Sequence, residues 1–398
     1  LALALRPAPA AAEGEPWQAA DAIRDALFAA QAAVLGGDLP AATGRVAEAA
    51  AAVPAGLPGE SAALLAQALD DAATAAAAGD SDALAGARGL AAGALNWGGY
   101  VAARQAVAAG DAATAGQWLL VRDFRTSTRF SRPDADATLA LRDLAAGAAN
   151  PEAIAATLAQ LDADLLDTYQ ARLTEHLATA ADAAALPGRR AESAGIAAAY
   201  WRVLAPAYAT QSEAADPAGV LAGFDALLPA LLAGDETAVA ATAERLSATL
   251  GSFRAAPLSP DDQARRAGQL LRFLALVPVE YGRGVTEQTV MVDLEVQEAV
   301  TFMGGATAAF ADLRLGLEAI DPARTTALAE QIATVAADLD AANRKESVLT
   351  PEQMSANVQA INDELAALMP PAWTAANADA DFDVLASVLD QVEAAVKA

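Results

Sequence analysis

Apolar positions recur at helical period along most of the chain. Between residues 17 and 53, Ile23, Leu27, Val34 and Leu35 fall near one face, the spacing of an amphipathic α-helix. Gly37-Asp38 breaks this run, and the same dipeptide returns at Gly79-Asp80, Gly110-Asp111 and Gly234-Asp235. Glycine closes a helix in the left-handed conformation, and aspartate then accepts from the first free amides of the next helix. Breaks this short fold successive helices back on one another. The pattern predicts an all-α protein, a multi-hairpin helical bundle. The irregular spacing of the breaks excludes a fixed-period solenoid.

Two stretches depart from that pattern. One runs Val121-Arg-Asp-Phe-Arg-Thr-Ser-Thr-Arg-Phe-Ser-Arg-Pro-Asp134, the other from Leu276 through Pro278, Gly282 and Gly284 to Val292. Proline and glycine inside an apolar run break helices, so both are expected to be irregular inserts. Loops carried on a rigid scaffold are where function tends to sit. Asn96-Trp-Gly-Gly-Tyr100 is likewise expected to interrupt a helix and to mark a close helix approach.

The best internal boundary is residues 183–194, which contain Leu-Pro-Gly-Arg-Arg. A weak echo crosses it at constant offset: Leu119-Leu120 aligns with Leu276-Val277, Asp123-Phe124 with Glu280-Tyr281, and Asp136 with Asp293. Two loosely related helical halves are therefore expected, at 17–182 and 195–370. Residues 1–16, apolar and then rich in small residues and proline, read as a signal remnant and tether, which implies export. Residues 371–398 read as a connector with an amphipathic helix over Phe382–Val396.

Composition narrows the function. The chain has 398 residues and 117 alanines, and alanine is the strongest helix former. Cysteine is absent, which removes disulfides, zinc–thiolate sites, iron–sulfur clusters and thiol nucleophiles. The single histidine, His176, excludes a multi-histidine metal site. The formal charge of −26 excludes nucleic acid as a partner, because a phosphate backbone needs a basic face. It opposes anionic lipid surfaces and favours cations and basic partners. The most apolar stretch, 220–232, contains Asp225 and Pro229 and falls short of the roughly 20 apolar residues of a membrane span. No phosphate loop, dinucleotide fingerprint or nucleophile elbow is present, so a non-enzymatic protein is expected.

Three constellations can carry chemistry. In Asp293-Leu-Glu295-Val-Gln-Glu298, Glu295 and Glu298 are neighbours on one helix face, and Glu280 can converge on them. Grouped carboxylates bind a hard cation through oxygen, so Glu280, Asp293, Glu295 and Glu298 form a candidate site for Fe³⁺ or a similar ion. The same residues also fit an ordinary acidic face paired with Arg283. Arg125, Arg129 and Arg132 can hold an anion by bidentate contacts or lock their insert onto acidic helices. Asp162, Asp164, Asp167, Tyr169, Glu175 and His176 share one helical stretch and would need acids from a second helix to bind a metal. Trp97, Tyr100, Trp118, Tyr200, Trp201 and Tyr208 are most simply packing residues.

The segments 118–141 and 277–313, with Asp164-Leu-Leu-Asp-Thr-Tyr-Gln-Ala-Arg172, resemble the extracytoplasmic N-terminal region of bacterial high-affinity iron permease (oxidase-dependent iron transporter) proteins. The resemblance covers about residues 95–315. It implies a helical domain outside the membrane, associated with a permease domain in the same chain or a separate one, that captures or relays ferric ion or docks a partner. The family's permeation motif Arg-Glu-x-x-Glu is absent, because Glu295-x-x-Glu298 follows Leu294. The competing reading is a structural or interaction module of the cell envelope without a ligand.

Overall fold

The computed structural model describes residues 15–122, 136–147, 149–210 and 215–375. Among these, fifteen helices and one two-residue-per-strand hairpin make up the regular structure, so the chain is all-α. It divides into two compact units, Leu1–Pro257 and Leu258–Ala398.

The first unit contains α1 (Pro16–Leu35), α2 (Leu39–Ala51), α3 (Gly59–Ala78), α4 (Ser81–Ala108), α5 (Ala112–Leu119), α6 (Ala137–Ala146), α7 (Pro151–Ala181), α8 (Pro187–Ala209), α9 (Pro217–Leu232) and α10 (Glu236–Gly251). All four Gly-Asp breaks do what their chemistry dictates. Gly37, Gly79, Gly110 and Gly234 have φ between 70° and 78°. Asp38, Asp80, Asp111 and Asp235 then cap α2, α4, α5 and α10 through their side chains.

The centre of this unit is the parallel pair α4 and α8. Gly89 lies against Glu192, Gly93 against Ala199, and the Asn96 amide donates to the Tyr200 hydroxyl. A methyl at Gly89 would stand 2.1 Å from the Glu192 carbonyl oxygen, and one at Gly195 would stand 2.3 Å from that of Gly86. Backbone therefore touches backbone, which only glycine permits. Around the pair pack Tyr169, Tyr200, Trp201 and Phe224, none more than 2% exposed. Trp118 and Tyr100 are buried as expected, and Trp97 and Tyr208 are half-buried.

Several expectations are corrected. The boundary expected at 183–194 lies inside the first unit, because α8 begins at Pro187 and is held against α4. Helix α4 runs unbroken through Asn96–Tyr100. The close helix approach there is real, since a methyl at Gly98 would stand 2.7 Å from the Ser61 hydroxyl of α3. The echo is only partial: Leu119 ends α5, whereas Leu276 sits inside a long helix. Asp136 and Asp293 do both stand at helix starts.

The second unit contains α11 (Pro260–Gly284), the hairpin β1 (Val285–Thr286) and β2 (Thr289–Val290), then α12 (Asp293–Glu318), α13 (Pro322–Asn343), α14 (Pro351–Leu368) and α15 (Pro371–Ala375). Each of α11 to α14 packs on its two neighbours in a closed ring, a four-helix bundle. Leu274, Val277, Met303, Leu313, Leu328, Leu339, Met354 and Leu365 form its core. Most of the insert expected from Leu276 to Val292 is helix. α11 continues through Pro278, because Val277 and Tyr281 are fully buried beside it and their packing overrides the proline. Only the hairpin at 285–290 is non-helical structure of the expected kind. The Phe382–Val396 stretch lies outside the described residues.

Candidate metal centre

Glu280 lies one turn before the end of α11, and Glu295 and Glu298 lie in the first two turns of α12. Gly284 brings the two helices together. A methyl there would meet Val296 Cγ2 at 2.9 Å and both Glu295 Cβ and the Val292 carbonyl oxygen at 3.0 Å. The Gly284 carbonyl also accepts from the amides of Met291 and Val292, at 2.8 and 3.1 Å, which closes the hairpin tightly over the contact. With no side chain in the way, the first turn of α12 rests directly on the last turn of α11.

As a result, one carboxylate oxygen from each of Glu280, Glu295 and Glu298 lies within 4.8 Å of the others. The three are graded in depth: Glu280 is buried, Glu295 half-buried and Glu298 exposed. Arg283, one turn after Glu280, donates to Glu280 Oε2 at 2.7 Å. A hydrogen bond with Glu280 holds the Glu295 carboxyl above its ordinary pKa. Desolvation and the charges of Glu280 and Glu298 add to this, and Arg283 opposes it. Three acids against one arginine leave an excess of negative charge, the electrostatic condition for a cation.

Asp293 does not join this group. It begins α12, two positions and so about 200° around the helix from Glu295, and its carboxylate pairs with Lys345 at 2.8 Å. Arg125, Arg129 and Arg132 lie outside the described residues. The acids of α7 diverge. Asp162 accepts from the Tyr100 hydroxyl and pairs with Arg104, and buried Asp164 accepts from the Ala137 amide. Asp167 pairs with Arg254. His176 lies 3.3 Å from the Ser193 hydroxyl and edge-on to Tyr200. Sequence reasoning reached the three glutamates and Arg283 but missed Gly284. Its signal was the spacing, since Gly284 follows Glu280 by four residues and shares its helix face.

A helical unit is thus followed by a four-helix bundle whose α11–α12 contact groups three carboxylates. Two family models match the chain: the iron permease FTR1 N-terminal domain over residues 12–249, and the iron permease-associated 4-helix bundle domain over residues 259–372. The chain belongs to the iron permease family, a family of transporters. The gap between the two matches contains the division between the compact units. No curated protein and no solved structure matches it. No helix among the described residues is long and apolar enough to cross a membrane.

Proposed function

We propose that this chain serves iron uptake as an extracytoplasmic, non-enzymatic domain that gathers ferric ion for a permease. Glu280, Glu295 and Glu298 supply the oxygen ligands. The observation that carries this reading is the approach of three carboxylates within 4.8 Å around a single arginine, inside the region matched by the iron permease-associated bundle. Ferric ion is a hard cation that prefers oxygen donors. Buried Glu280 anchors the site, and exposed Glu298 leaves one side open for delivery and release. The cation draws together the Glu295 and Glu280 carboxylates and competes with Arg283 for Glu280. The strongly negative chain raises the local concentration of cations before they reach the site.

Thermal unfolding with and without ferric nitrilotriacetate tests this. A ligand at 100 times its dissociation constant stabilises by about 2.7 kcal/mol, so the melting temperature should rise in the native chain. It should stay unchanged in Glu295→Gln/Glu298→Gln. An equal rise in both proteins would remove the site.

One observation favours a second reading, an interaction module without a ligand. Met291, Val292 and Leu294 are 65%, 44% and 61% exposed beside the acids, as a docking surface would be. That reading expects no ferric-dependent shift in either protein.

A further inference from the structure

The first unit contains an open cleft of about 640 Å³ between α3, α4, α8 and α9. The size suits a small ligand or a pair of peptide side chains. Its walls are mostly apolar, with half-buried Trp97 from α4 and Leu221 from α9 among them. The polar side chains in the wall are Glu60, Gln67 and Arg202. Glu60 and Gln67, two turns apart on α3, offer a carboxylate and an amide oxygen, and Glu60 has no ion-pair partner among the described residues. The Arg202 guanidinium does not offset this. It is spent on both oxygens of Asp225 at 3.1 and 3.2 Å and on the Ala198 carbonyl at 2.6 Å.

A negative charge and an indole set in apolar walls select a cation carried on an apolar body. The carboxylate supplies a charge-assisted hydrogen bond, and the indole can attract positive charge. We propose that this cleft binds an organic cation, an ammonium or guanidinium group on an alkyl or aryl body. It does so independently of the carboxylate site in the second unit. The cation comes either from a basic side chain flanked by apolar residues in a partner's peptide segment or from a free amine.

The test is a tryptophan-fluorescence titration of the full chain with 2-phenylethylamine and with acetyl-Leu-Arg-Leu-amide. The anionic isostere 3-phenylpropionate serves as control. A saturable response to one or both cations is expected, weakened about tenfold in Glu60→Gln and lost in Trp97→Phe. Glu60 is exposed in the first turn of α3, so Glu60→Gln leaves the core untouched. The tighter of the two cations identifies the source. Equal binding of 3-phenylpropionate, no saturation by either cation, or an undiminished response in Glu60→Gln or Trp97→Phe would overturn the proposal.

Discussion

Glu280 and Glu295 come within hydrogen-bonding reach across the α11–α12 contact, one buried and one half-buried, and that hydrogen bond holds the Glu295 pKa above the ordinary glutamate range. A carboxyl with a raised pKa in the fold binds its proton more tightly there than in the unfolded chain. Its stabilising contribution is therefore present in acid and is lost as pH rises through the folded value. The second unit should lose stability as pH climbs above the normal glutamate range. Glu295→Gln, which keeps the hydrogen bond without the charge, should flatten that loss. Urea midpoints of the two proteins, compared across that window, should diverge as pH rises, with the variant the more stable. Parallel curves would contradict the raised Glu295 pKa.

Gly284 sets the distance between the acids. Gly284→Ala forces a methyl to within 3.0 Å of Glu295 Cβ and the Val292 carbonyl oxygen, backbone that cannot rotate away. Overpacking of this kind costs about 1–3 kcal/mol. Denaturant unfolding should register that loss, together with weaker ferric stabilisation, because Glu295 moves away from Glu280.

The α4–α8 contact makes a harder demand. In Gly89→Ala the added methyl meets the Glu192 carbonyl oxygen at 2.1 Å, so the helices must separate. A loss of about 3 kcal/mol is expected. Gly44, with nothing near its missing side chain, is the control, and Gly44→Ala inside α2 should be neutral to stabilising by circular-dichroism melts.

Asp80 accepts from the amides of Asp82 and Ala83 at 3.1 and 2.9 Å at the start of α4. Asp80→Ala should cost about 1 kcal/mol, the usual value of such a cap, and Asp80→Asn much less. The two urea midpoints check this.

What could be read along the chain was local chemistry. The four Gly-Asp breaks were legible because a left-handed glycine and a capping aspartate act within a few residues. Glu295 and Glu298 were legible from helical spacing alone. What could not be read depends on tertiary packing. Burial of Val277 and Tyr281 carries α11 through Pro278, and the division at Pro257 is invisible in a chain of near-uniform composition. Asp293 was grouped with the glutamates by proximity in sequence, yet helical geometry turns it toward Lys345. That Glu280 joins Glu295 follows from the contact at Gly284, a meeting of residues from two helices.

Under the proposed function, Glu280, Glu295 and Glu298 hold one ferric ion. Equilibrium dialysis of the chain against ferric nitrilotriacetate, with iron counted per chain, tests it directly. The native protein should retain one ion, and Glu280→Gln/Glu295→Gln/Glu298→Gln should retain none while keeping its helical circular-dichroism spectrum. Equal iron in both proteins would contradict it.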